Sequence, residues 1–94
     1  MEINIQKSDN YTLIHILEKQ IYTGNSPHLK SEFVLISAGG ENNIILDISA
    51  CENCDSSGLS AILTANRLCR NAGGILVVAG LGYVPILRGD INCL

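Results

Sequence analysis

The stretch Ile44-Ile45-Leu46-Asp47-Ile48-Ser49-Ala50-Cys51-Glu52-Asn53-Cys54-Asp55-Ser56-Ser57-Gly58-Leu59-Ser60 decides how the rest of the chain is read. Its first five residues form a short, almost unbroken apolar run, the pattern of a central strand in a sheet. The polar segment Cys51 to Ser57 ends that run, and Asp55-Ser56-Ser57 supplies side-chain oxygens where a helix would begin. Ser56 is the residue expected to cap it. Beyond, Ala61, Ile62, Ala65, Leu68, Cys69 and Ala72 recur as one apolar stripe, widened along one edge by Leu59 and Leu63. Ser60, Thr64, Arg67 and Asn71 take the opposite face, and Gly73 closes the helix. Ile75-Leu76-Val77-Val78-Ala79 then reads as a second buried strand. A strand, helix and strand in this order imply parallel pairing through a right-handed crossover.

Toward the N-terminus, Ile3 and Ile5 alternate with polar residues, and Tyr11 to Leu17 is a β-branched and aromatic run with His15 inside it. Both are expected as strands, paired through Ser8-Asp9-Asn10. Leu29, Phe33 and Ile36 recur at helical spacing, with Ser26 expected as the cap, Pro27 at the first helical position and Gly39-Gly40 at the end. Past the last strong strand, Val84 to Arg88 is expected to hold one short helix with Pro85 in its first turn, and Ile91 to Leu94 a strand stub. The order β, β, α, β, α, β predicts an α/β or mixed α+β fold: a small mixed β-sheet with helices packed on one face.

With 94 residues, no linker and no internal repeat, the chain is expected to form a single domain over residues 1–94. Its 47% apolar and 16% charged residues exclude intrinsic disorder. The net charge is −3, and Lys7, Lys19, Lys30, Arg67, Arg70 and Arg88 are scattered, so a direct nucleic-acid partner is not expected. Gly80, Gly82 and Pro85 interrupt the longest apolar stretch, which falls short of the roughly 20 residues that cross a bilayer. Membrane insertion is therefore not expected. The N-terminal residues lack the basic and apolar blocks of a secretory signal, which makes the cytoplasm the expected location and free thiols the expected state of Cys51, Cys54, Cys69 and Cys93.

Ile44 to Ser49, then Asp55-Ser56-Ser57-Gly58-Leu59, then Gly73-Gly74-Ile75-Leu76-Val77-Val78 together resemble the STAS domain, the family of bacterial anti-sigma factor antagonists. The resemblance extends over roughly residues 3–82. It implies that Ser56, directly after the motif aspartate Asp55, is phosphorylated by a partner anti-sigma kinase. Ser57 would be a helix-start residue, Gly58 a position of close approach, and Leu59 the apolar residue of the first turn. By the same resemblance, the unphosphorylated protein binds the anti-sigma factor, phosphorylation abolishes binding, and a phosphatase restores it. Two features depart from the pattern. Lys19-Gln20-Ile21-Tyr22 places Tyr22 where many members carry an acid, and the chain after Gly80 is short for the family.

Three other chemistries compete. Cys51-Glu52-Asn53-Cys54 is a C-x-x-C before a helix, the setting of a redox dithiol, but Glu52 beside it would raise a thiol pKa. A closed zinc site would need two further ligands close to Cys51 and Cys54, and His15 and His28 are remote in sequence. His15 reads as a packed or hydrogen-bonded residue without a partnered acid, and no histidine follows position 28 to serve a seryl nucleophile. Gly80-Leu81-Gly82 reads as a turn. The expectation is a binding protein, not an enzyme, with no cofactor and no metal. The alternative is a STAS subunit held permanently in a larger assembly, such as a lipid transporter or signalling complex.

Overall fold

Thr12, Ile14 and Ile16 are completely buried while Leu13 and His15 between them are half covered, and this period of two places one face of their strand against the core. The computed structural model describes residues 1–80 and 92–93. In it, β1 (Ile3–Lys7) runs antiparallel to β2 (Thr12–Ile16), as the alternation near the N-terminus predicts. Next come β3 (Gln20–Ile21), α1 (Ser26–Ala38), β4 (Asn43–Asp47), β5 (Asn53–Cys54), α2 (Ser56–Asn71), β6 (Ile75–Ala79) and β7 (Asn92–Cys93). The main sheet has the order β1-β2-β4-β6-β7, every pair beyond the first being parallel.

Register sorts the side chains into two faces. Ile14 lies opposite Leu46, and Leu46 opposite Val78, so the fully buried residues of three strands form one continuous surface. Leu29, Phe33 and Ile36 of α1 and Ala61, Ile62, Ala65 and Cys69 of α2 complete the same core. Full burial of each large aliphatic side chain there contributes about 1.5–3 kcal/mol. Both helices therefore cover one face, as the sequence predicts. The other face carries the rows Leu13, Ile45 and Val77, and His15, Asp47 and Ala79.

The helix ends depart from expectation by single residues. Asn25 occupies the position before α1, Ser26 is buried as the first helical residue, and Pro27 is the second. Asn25 does not cap the helix with its side chain, because that side chain accepts from the Tyr22 N–H and donates to the Gln20 carbonyl. At the far end of α2, Ala72 is exposed instead of joining the apolar stripe, and Gly73 adopts φ 81°, the left-handed conformation that ends the helix. The parallel pair β3–β5, two residues a side, was not expected; it ties the segment before α1 to the segment before α2. The strand stub near the C-terminus is present as β7, while Leu81, Gly82 and the expected helix at Val84 to Arg88 lie outside the described residues.

Candidate functional site

The first turn of α2 is built by Asp55. Its backbone is extended (φ −85°, ψ −175°), its carboxylate Oδ1 accepts the Gly58 N–H at 2.9 Å, and its carbonyl accepts the Leu59 N–H. Asp55, not Ser56, is therefore the cap. An aspartate there also adds its charge to the favourable end of the helix dipole. Ser56 is left as the exposed first residue of the helix.

The same carboxylate reaches across to the loop between β3 and α1. Its Oδ2 accepts the Thr23 N–H at 3.3 Å, and the Asp55 N–H donates to the Ile21 carbonyl at 3.1 Å. Beside this contact, the hydroxyls of Thr23 and Ser57 are hydrogen-bonded at 3.1 Å. Asn25 braces the loop from within, and the Tyr22 ring fills the space where a Gly24 side chain would stand. Tyr22 nevertheless remains 41% exposed, next in sequence to the latched Thr23. Gly58 packs closely against β3: a Cβ there would lie 2.5 Å from the Ile21 carbonyl oxygen. Asp55, Ser57 and Gly58 thus anchor the corner. Among the described residues, none of the hydrogen bonds that tie it together uses the Ser56 hydroxyl.

Asp55→Ala should remove both the cap and the bond to Thr23, lowering stability by about 1–2 kcal/mol and the melting temperature by roughly 5–15 °C. Amide exchange should quicken selectively at Gly58 and Thr23. Unchanged protection at both amides would show that Asp55 does not hold this corner.

Two further groups of chemical interest lie elsewhere. On the face of the sheet away from the helices, His15 Nε2 stands 3.8 Å from Asp47 Oδ2, so the histidine does have a partnered acid, contrary to the reading of the sequence. Parallel register sets Asp47 directly opposite His15. Burial raises the Asp47 pKa, but hydrogen bonds from the Ser49 N–H and hydroxyl, together with His15, outweigh it and hold the carboxyl below its ordinary value.

Cys51 and Cys54 are free, half-buried thiols packed at the edge of the core. Burial pushes Cys51 up, and hydrogen bonding with the backbone of Asn53 and Ile21 only partly offsets it. Burial, with neighbouring Cys51 and Asp55, pushes Cys54 up to about 11. An activated dithiol needs the opposite shift. Among the described residues, no group of three or more His, Cys, Asp or Glu could hold a metal ion, and no helix is long and apolar enough to cross a membrane.

Sequence reasoning singled out Asp55, Ser56, Ser57 and Gly58 but anticipated neither Thr23 beside them nor the pairing of His15 with Asp47. Thr23 belongs to a different loop, and only the tertiary fold brings it here.

Comparison with curated proteins gives no match. Among solved structures, the unphosphorylated anti-sigma factor antagonist SpoIIAA superimposes with a TM-score of 0.84 at 12% identity, covering 99% of this chain and 87% of its own. A candidate anti-sigma factor antagonist from Thermotoga maritima gives a TM-score of 0.79 at 17% identity, over 97% of this chain and 84% of its own. A serine-to-glutamate variant of RsbS from Moorella thermoacetica gives 0.78 at 24% identity, over 100% of this chain and 86% of its own. At these identities the likeness is one of fold. The STAS domain family itself matches residues 2–86, nearly the whole chain and including β1 to β6, both helices and the Asp55-Ser56-Ser57-Gly58 corner just described. The chain belongs to the STAS domain family.

Proposed function

We propose that this protein is a regulatory binding domain of the anti-sigma factor antagonist kind, whose partner surface centres on Ser56 and is switched by phosphorylation of that residue. The observation that carries this reading is the separation of duties at the start of α2. Asp55 and Ser57 are engaged in holding the fold, while the adjacent Ser56 is exposed. A phosphate on Ser56 would add about −1.5 to −2 charges at neutral pH, close to the N–H groups at the positive end of a 16-residue helix. The fold can accept that charge. A partner seated on the same surface must desolvate it, and that is the basis of the switch.

The partners implied are an anti-sigma factor that also acts as a serine kinase, and a phosphatase that resets the site. In that exchange the Ser56 hydroxyl attacks the γ-phosphorus of ATP, ADP leaves, and the hydroxyl proton passes to a base on the kinase. This chain would supply only the acceptor and catalyse nothing itself. Such a role places it in the cytoplasm, and the raised thiol pKa values of Cys51 and Cys54 favour it over redox chemistry.

Incubation with the cognate kinase and ATP, followed by peptide mass spectrometry, tests the reading. Phosphate is expected on Ser56. No modification by a kinase shown to bind the protein, or modification confined to Ser57 or Ser60, would overturn the proposal and leave the permanent-subunit alternative.

A further inference from the structure

We infer that Thr23 is a positioning residue that selects Ser56 over Ser57 as the acceptor hydroxyl, an inference that rests on the phosphorylation reading just given. Asp55-Ser56-Ser57 offers two neighbouring serines at the same helix start, and composition does not distinguish them. The fold does. Ser57 is half-buried and its hydroxyl is hydrogen-bonded to the Thr23 hydroxyl at 3.1 Å, whereas Ser56 is exposed. Phosphoryl transfer requires an acceptor oxygen that can approach the γ-phosphorus in line, with the reacting atoms about 3–3.5 Å apart. An oxygen hydrogen-bonded to the β3–α1 loop must leave Thr23 to make such an approach.

Thr23 is itself well placed to hold it. Its N–H is fixed on Asp55 Oδ2 at 3.3 Å, and the loop behind it is braced by Asn25, which bonds both the Tyr22 N–H and the Gln20 carbonyl. The Thr23 hydroxyl thus comes from a loop whose backbone is tied to the same carboxylate that caps α2. Ser57 must break its bond to Thr23 before it can react, whereas Ser56 has no comparable step. A hydrogen bond of ordinary net strength corresponds to about a fivefold bias in such an equilibrium.

Thr23→Val retains shape and the backbone bond to Asp55 but removes the hydroxyl. Thr23→Ser restores it. With ATP and the kinase that modifies the wild-type chain, the wild type and Thr23→Ser are expected to carry phosphate at Ser56, and Thr23→Val to show about a fivefold rise in the share at Ser57. A merely structural role for Thr23 would change total modification and not the Ser56 to Ser57 ratio. An unchanged ratio in Thr23→Val overturns the inference.

A kinase-independent measurement separates this outcome from failure of the functional reading. Three-bond NMR couplings should report a single Ser57 side-chain rotamer in the wild type and in Thr23→Ser, and rotamer averaging in Thr23→Val. A locked rotamer that Thr23→Val releases, in a protein that no kinase modifies, refutes phosphorylation as the function while retaining the Thr23 latch. A Ser57 rotamer insensitive to Thr23→Val refutes the latch itself.

Discussion

Gly58→Ala is expected to destabilise the domain by about 2–3 kcal/mol, lowering the melting temperature by roughly 10–20 °C. A Cβ at this position would lie 2.5 Å from the Ile21 carbonyl oxygen and 2.9 Å from both the Ile21 Cγ2 and the Cys54 Sγ. The sulfur can swing aside, but the carbonyl cannot move alone. It accepts the Asp55 N–H at 3.1 Å and belongs to β3, which pairs with β5. The added methyl must therefore separate α2 from β3 or strain the backbone that carries Asp55. Against this, alanine gains up to about 1 kcal/mol over glycine in helix propensity, less in a first turn than in a helix interior. Overpacking against backbone outweighs it. Thermal melts of wild type and Gly58→Ala decide the matter, and a variant as stable as wild type would mean that the close approach of α2 to β3 does not limit this corner. Because the clash lies under the cap, the amides at position 58 and Thr23 should also lose protection.

The parts of the fold that were legible in the sequence are those whose signal is repeated along one element. The α2 stripe from Ala61 to Cys69 spans several turns, and the runs at Ile44 and Ile75 are apolar on both faces, so a single exception such as exposed Ala72 does not hide the pattern. Helix starts are less legible because consecutive residues offer equivalent chemistry. Asp55 and Ser56 can each accept from an amide, and the choice falls to Asp55 because its backbone remains extended while Ser56 has already turned into the helix. At α1 the expected cap Ser26 is drawn into the helix and buried, and Asn25 is turned back into the preceding loop by its own hydrogen bonds.

Contacts between distant segments leave no local trace. Thr23 meets Asp55 across 32 positions, β3 and β5 are too short to show a period, and His15 faces Asp47 only through the register of two parallel strands. The candidate site was thus half visible. Ser56 and its helix lay in one motif, whereas the loop that holds the neighbouring Ser57 lay in another part of the chain.

That division leads to the expected behaviour of Ser56→Asp, which should lose partner binding by about a hundredfold or more while melting near the wild-type temperature. On the fold side, an anion at the first helical residue is favoured by the dipole by about 0.3–1 kcal/mol, partly offset by its proximity to Asp55. Ser56 is exposed, so the new carboxylate stays hydrated in the free protein. On the binding side the same group must be stripped of water against a surface that accommodates an uncharged hydroxyl, and an unpaired buried charge costs several kcal/mol. Ser56→Ala is the matching control. Since Asp55 holds the cap, alanine at 56 should change stability by no more than about 0.5 kcal/mol, the ordinary range for an exposed site, and should leave binding intact. Calorimetric titration of the three proteins against the proposed anti-sigma partner, with melts alongside, separates the two effects. If Ser56→Asp remains folded and binds as tightly as wild type, charge at this position is not what the partner reads. The surface around α2 is then a permanent docking face, and the exposed hydroxyl of Ser56 has no regulatory part in it.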